Sequence, residues 1–224
     1  MDHHITSEKV TEYLHHYYRP RNEKLAAMRE DAEKRWIPVI LKETEDFLAL
    51  LIALFHPQRI LEIGTAIGYS AAFFAETTDA QIVTIERDEE MYREACQNIE
   101  KLHLEKKISC LSGDAETVLR VLQKEVQEGQ RVPFDFLFID AGKSHYTEFL
   151  SLAFPMLQEG ALVLCDNILM RGTTVSDEYD PKGKHKTNIR KMREFIDWIT
   201  EDEHFTTTLY AIGDGISCSI VKKK

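Results

Sequence analysis

Arg59-Ile60-Leu61-Glu62-Ile63-Gly64-Thr65-Ala66-Ile67-Gly68-Tyr69-Ser70 decides how this chain is read. A short apolar strand carries an acid near its end and runs into a turn with two glycines four residues apart. The turn then opens a helix. Glycine has no Cβ, so backbone in such a turn can come close to a ligand. No Gly-Lys-Ser/Thr follows Gly68, which excludes a phosphate loop. Thr65 and Ala66 also break the G-x-G-x-x-G dinucleotide fingerprint. What remains is a nucleoside pocket without a pyrophosphate cradle.

Outward from the turn, strand and helix alternate. Strands are predicted at 59–63, 81–86, 107–111, 134–139 and 161–165. Helices follow from Tyr69, from the cap Asp88, and over 116–128, 145–157 and 187–200. Apolar residues at helical spacing (Met91, Ala95, Ile99, Leu102; Ile189, Met192, Ile196, Ile199) mark the inward faces. Phe205–Tyr210 and Gly215–Val221 read as a hairpin-linked pair that adds an antiparallel strand. The first ~55 residues read as helices at 7–17, 22–35 and 42–55, broken near Pro20 and Pro38. Alternating β and α with near-continuous apolar strands predicts an α/β fold, a parallel sheet with helices on both faces. The expected organisation is one domain over 1–224, a helical cap (1–55) on a Rossmann-like core (56–224).

The composition, 43% hydrophobic and 29% charged, is that of a soluble globular protein. No apolar run approaches the ~20 residues that span a bilayer, and Met1 to Glu8 lacks a signal-peptide pattern. Cys96, Cys110, Cys165 and Cys218 form no C-x-x-C pair, so they read as reduced core residues of a cytoplasmic protein rather than zinc ligands or disulfides. The net charge of −10 argues against general affinity for nucleic acid. One stripe departs from it: Lys182, Lys184, Lys186, Arg190, Lys191 and Arg193 occur without an acid among them, leaving 22 basic against 38 acidic residues elsewhere.

In open α/β sheets ligands bind beyond the carboxyl ends of the strands, and here each strand ends in polar residues. Glu86 ends the second, 22 residues after Gly64, a spacing suited to ribose hydroxyls. Ser112-Gly113-Asp114 ends the third, where Asp114 either accepts from an adenine amino group or simply caps the next helix. Asp140 ends the fourth, and Asp166-Asn167 ends the fifth. Neighbouring strands lie ~4.8 Å apart, so Asp140, Asp166 and Asn167 can share one hard cation such as Mg²⁺. The plain alternative makes Asp140 a helix cap and Asp166-Asn167 a turn. Lys143 follows Asp140 by three residues. Beside a dication and a sulfonium its proton affinity should fall, as a general base requires.

These motifs resemble class I S-adenosylmethionine-dependent O-methyltransferases of the catechol and caffeoyl-CoA type. The resemblance rests on Leu61 to Ser70, Phe138-Ile139-Asp140-Ala141-Gly142-Lys143 and Cys165-Asp166-Asn167, and extends from Pro38 to Val221. It implies a seven-stranded sheet of order 3-2-1-4-5-7-6 with the last strand antiparallel. It implies that Ile40, Glu62, Gly64, Gly68, Ser70, Glu86, Gly113, Asp114 and Asp140 bind S-adenosylmethionine. It places Asp140, Asp166 and Asn167 on a Mg²⁺ ion and gives Lys143 and Asp140 catalytic positions. Within the family the chain is most similar to bacterial tRNA 5-hydroxyuridine methyltransferases, which methylate the wobble base to 5-methoxyuridine. In that case the anticodon stem-loop would meet Arg19, Arg21, Arg171 and the stripe Lys182, Lys184, Lys186, Arg190, Lys191 and Arg193. A small catechol or a phenolic coenzyme A thioester is the alternative substrate, because any pair of adjacent oxygens chelates such a metal. Relatives imply a homodimer. A non-catalytic cofactor-binding module conflicts with the intact Asp140/Lys143/Asp166/Asn167 set. A nicotinamide-dependent dehydrogenase conflicts with the broken glycine fingerprint.

Overall fold

β1 (Arg59–Ile63) lies between β2 (Gln81–Glu86) and β4 (Phe134–Ile139), parallel to both. The structure is a computed structural model and describes residues 7–223. Met1 to Thr6, part of the stretch read above for a leader, lie outside these residues. β3 (Ile108–Ser112) extends the sheet beyond β2, and β5 (Leu157–Asp166) extends it beyond β4, both parallel. β7 (Ile216–Val221) then pairs antiparallel with β5, and β6 (Phe205–Tyr210) pairs antiparallel with β7. The order β3-β2-β1-β4-β5-β7-β6 is the one the resemblance implies.

Side chains alternate across a strand, and each face of the sheet has its own core. On one face Leu61, Val83, Leu137 and Val163 pack with α6 (Ala115–Gln127), α7 (Tyr146–Ala153) and α8 (Lys186–Glu201). On the other, Ile60, Ile82, Phe136 and Leu164 pack with α2 (Glu23–Lys34), α3 (Lys42–Phe55), α4 (Tyr69–Thr77) and α5 (Glu89–Leu102). α1 (Glu8–His15) packs on α3 from outside. Asp88 caps α5 by accepting from the Glu90 and Met91 amides, as its position predicts.

Two boundaries differ from the sequence expectation. α7 stops at Ala153 instead of 157, because Pro155 has no N–H to continue the ladder and diverts the chain into a 3-10 turn over Phe154–Met156. β5 therefore starts at Leu157. A register shift between Phe134 and Phe136 takes up its extra residues before the regular pairing that ends at Ile139 and Cys165. On α8, Phe195 rather than Ile196 joins Ile189, Met192 and Ile199 in the buried stripe. All four cysteines are free thiols, with Cys165 buried and the others half-buried. No helix among the described residues is long and apolar enough to cross a membrane.

Candidate active site

The glycine turn is tied into the strand ends. The Gly64 amide donates to the Ile85 carbonyl at 3.0 Å, and the Asp140 amide donates to the Ile63 carbonyl at 3.0 Å. Gly64 has φ +95°, and a Cβ there would lie 2.1 Å from the Asp140 carbonyl oxygen. Only glycine lets the turn pass the end of β4 this closely. Ala66, also in the left-handed region, donates its amide to Glu86 Oε2 at 2.9 Å. Glu86 Oε1 accepts the Asp88 amide at 2.8 Å. A carboxylate has about four acceptor sites, so Glu86 keeps capacity for ribose hydroxyls while bracing the turn.

Glu62 is fully buried beneath this turn. Its Oε2 accepts from Thr65 Oγ1 at 2.7 Å and Thr84 Oγ1 at 2.5 Å, whereas Oε1 has no hydrogen-bond partner. Burial, with Asp140 adding repulsion, pushes its pKa up to about 7 against the pull of surrounding hydroxyls. An unpartnered acceptor that resists ionisation fits a site for a cationic amino group. Ser70, on the first turn of α4, and Ile40, just before α3, are both buried. Asp114 caps α6 through the Thr117 amide at 3.2 Å, with its side chain otherwise exposed, so the helix-cap reading is met. Gly113, at φ +144°, donates its amide to the Glu86 carbonyl at 2.9 Å and links the ends of β3 and β2.

At the ends of β4 and β5 an oxygen cluster surrounds one ammonium. Lys143 Nζ donates to Asp140 Oδ1 at 2.7 Å, to Asn167 Oδ1 at 2.6 Å and to the Tyr146 hydroxyl at 3.0 Å. Tyr146 in turn donates to the Asp166 carbonyl at 2.8 Å. Asp166 Oδ1 accepts the Asn167 amide at 2.7 Å, and its buried Oδ2 has no partner. Burial and the Asp140 charge push Asp166 up to about 8. α7 begins after His145 without a side-chain cap, so Asp140 caps no helix. Among the described residues no three His, Cys, Asp or Glu side chains converge as a metal group. A cation here would depend on the Asn167 amide as its third donor. These groups fit a hard dication: Asp166 Oδ2 is an orphaned carboxylate oxygen, and a cation is already held between the other two donors.

Within the fold, Lys143 faces partners that favour its charge. Burial works against its charge, but Asp140 and Tyr146 outweigh burial and raise its pKa. As it stands, Lys143 is an ammonium counter-ion.

Much of the basic surface is already partnered within the fold. Arg190 and Lys191 both pair with Glu194, at 2.6 and 3.4 Å. Arg193 donates to the Thr174 and Thr173 carbonyls and to Asp177, fastening the loop after β5 onto α8. Arg21 pairs with Asp46, and Arg19 donates to the His16 and Tyr18 carbonyls. Arg171 lies exposed at φ +56° in the same loop. Lys182, Lys184 and Lys186 are exposed and make no salt bridge among the described residues. Of nine cations expected to face nucleic acid, these three have side chains free for a ligand.

Two site residues were missed by sequence reasoning. Tyr146 lies three residues after Lys143, a signal available in the spacing. Asp214, in the β6–β7 connection, accepts the Arg171 amide on Oδ1 at 2.5 Å, and its carbonyl accepts the Leu169 amide at 3.0 Å. It holds the loop that carries Asn167, and only its Gly-Asp-Gly turn composition hinted at it.

The O-methyltransferase family model matches residues 17–224. The O-methyltransferase imqG of Aspergillus flavus is 30% identical over 188 residues, covering 83% of this chain and 75% of that protein. A caffeoyl-CoA O-methyltransferase of Populus kitakamiensis is 26% identical, covering 95% and 93%. Among solved structures, a Staphylococcus aureus protein provisionally assigned as a caffeoyl-CoA O-methyltransferase superposes with a TM-score of 0.86 at 29% identity, covering 96% of this chain and 100% of that one. A Bacillus cereus O-methyltransferase in complex with S-adenosylhomocysteine shares the fold, with a TM-score of 0.80, 24% identity and coverage of 96% and 97%. The chain belongs to the O-methyltransferase family of S-adenosylmethionine-dependent enzymes.

Proposed function

We propose that this protein methylates one hydroxyl of a small phenol carrying a second oxygen beside it, such as a catechol or a caffeoyl-CoA-like thioester. The observation that carries this reading is the oxygen cluster of Asp140, Asp166 and Asn167 directly across from the glycine turn. Relatives named for caffeoyl-CoA favour that substrate class over others. Glu62, Gly64, Gly68, Ser70, Glu86, Gly113, Asp114 and Ile40 would hold S-adenosylmethionine, which supplies an electrophilic methyl on a sulfonium. Asp140, Asp166 and Asn167 would hold Mg²⁺ or a similar dication, which makes an adjacent hydroxyl easier to ionise.

The chain's own groups account for the rest. Asp166 and Asp140 provide negative charge that favours cation binding, and Tyr146 fixes the end of β5 by donating to the Asp166 carbonyl. Lys143 holds its proton while it faces Asp140 and Asn167. It becomes a proton acceptor only when those oxygens turn to another cation. The walls of the turn position the two reactants and exclude water, the main source of rate in a transfer that annihilates charge.

A second reading, methylation of 5-hydroxyuridine at the tRNA wobble position to give 5-methoxyuridine, is favoured by one observation. Lys182 and Lys184, on the loop before α8, and Lys186, at its first residue, make no salt bridge among the described residues, and phosphates would be neutralised there. Val10, Tyr13, Leu14, Leu50 and Leu54 are exposed on α1 and α3, and they suit burial in a homodimer. Four free thiols fit a reducing, cytoplasmic setting. The test is incubation with methyl-labelled cofactor and either a panel of catechols and phenolic thioesters or bulk tRNA containing 5-hydroxyuridine. Label in the phenols alone supports the first reading; label in tRNA alone replaces it with the second.

A further inference from the structure

Away from the strand ends, a second polar cluster is sealed inside the helical layer. Glu45 on α3 is fully buried, and it accepts from three side chains of three other segments. Arg29 Nη2 of α2 donates to Oε2 at 2.6 Å, and the Tyr69 hydroxyl of α4 donates to the same oxygen at 2.6 Å. The Tyr18 hydroxyl, from the α1–α2 connection, donates to Oε1 at 3.0 Å. Arg29 Nε also donates to the Tyr69 hydroxyl at 3.2 Å, and its guanidinium lies 4.6 Å from the centroid of the Tyr69 ring. Arg29, Tyr69 and Tyr18 are all less than a tenth exposed.

A buried ion pair adds little net stability over apolar residues of the same volume, since desolvating two charges offsets their attraction. What a four-membered network of this kind fixes is position. Tyr69 is the first residue of α4, directly after Gly68, so anchoring its ring sets the rotation of the helix turn that carries Ser70. Glu45 lies in the first turns of α3, five residues after Ile40. One carboxylate thus joins the first residue of α4, at the end of the glycine turn, to the start of α3. α2 is also tied to the far end of α4, where Asn22 Nδ2 donates to Glu76 Oε2 at 2.8 Å. Held at both ends, α2 keeps α4 from sliding.

We propose that Glu45, with Arg29, Tyr18 and Tyr69, is a positioning unit for cofactor binding: it holds the Gly64–Ser70 turn and the Ile40 segment in the geometry that S-adenosylmethionine needs. The unit acts through these segments and touches no reacting atom. The proposal is independent of which hydroxyl is methylated.

The experiment is calorimetric titration of S-adenosylhomocysteine, alongside thermal unfolding, for three variants. Tyr69→Phe removes one hydroxyl from the network. The double variant Arg29→Met/Glu45→Met removes both charges at conserved volume. Lys107→Met is the control, cutting hydrogen bonds to the Ala75 and Thr78 carbonyls at the other end of α4. The expected result is a Kd raised about fivefold by Tyr69→Phe and at least about tenfold by the double variant, as loosened positioning predicts. Lys107→Met should lower the unfolding temperature and leave Kd within about twofold. A Kd within twofold of wild type for both network variants overturns the proposal, as does an equal rise in the control. If the double variant does not accumulate, Tyr69→Phe decides by the same threshold.

Discussion

Lys143 Nζ donates to Asn167 Oδ1 at 2.6 Å, across the gap between the loops that follow β4 and β5. One side chain thereby links two strand ends and balances the carboxylate of Asp140. Replacing Lys143 with Ala should reduce methyl transfer by about 10²–10⁴-fold, the range for loss of a positioned proton-transfer group. Cofactor affinity should stay within about threefold of wild type, because Lys143 faces the oxygen cluster rather than the turn. Single-turnover transfer and calorimetry with S-adenosylhomocysteine separate the two quantities; an unchanged rate removes Lys143 from the chemistry.

Asp166→Asn keeps the shape of a buried side chain whose carboxyl resists ionisation without a cation. The cation-free variant should be as stable as wild type or more so, since it no longer carries an unpartnered carboxylate oxygen. Its affinity for Mn²⁺, followed by electron paramagnetic resonance, should fall by at least about tenfold. Equal Mn²⁺ affinity in variant and wild type would count against the dication site.

Glu62 predicts a pH dependence of stability with a definite sign. Its pKa rises from 4.5 in the unfolded chain to about 7 in the fold, so between those values the folded state binds more protons. Stability is therefore lost as pH rises through that window, by up to about 1.4 kcal/mol per pH unit, and the full cost is present above it. Glu62→Gln cannot ionise. Relative to wild type it should gain stability steadily from about pH 4.5 to pH 7 and then level off. Urea unfolding of both proteins across this range checks the slope, and parallel curves would show that Glu62 is not a buried acid of raised pKa.

The lysines at and just before the start of α8 decide between substrate classes. Lys182, Lys184 and Lys186 changed together to Ala should leave turnover of a small uncharged catechol within about twofold. If phosphates dock there, the triple variant should bind tRNA more weakly and with a shallower dependence on salt, by about one unit of slope per lost contact. Unchanged tRNA affinity and slope would mark the loop as solvated surface. Arg190, Lys191 and Arg193 make poor probes, because their charges already serve Glu194 and Asp177.

The sheet and its polar rim were legible because local signals and global topology agree. The strand at 59–63, the strand at 134–139 and the cap at Asp88 were read from apolar runs and capping chemistry that need no tertiary information. Harder to read were features whose two halves lie far apart in sequence. Glu45 looks like an ordinary first-turn acid of α3, and nothing local links it to Tyr69, 24 residues on. Arg193 looks like a free cation until the loop after β5 folds back on it. The hydrogen bond from Lys143 to Asn167, 24 residues on, is likewise conveyed by no spacing along the chain. Pro155, by contrast, was a visible stop signal that the helical pattern around it obscured.

Because β7 sits between β5 and β6, Asp166 acquires its antiparallel neighbour Ile216 only when the final strand inserts. During synthesis, the glycine turn and its acids emerge more than a hundred residues before that partner does. A nascent chain can thus shape the β1–β2 side of the sheet early, whereas the end of β5 gains its second neighbour only once β7 has emerged.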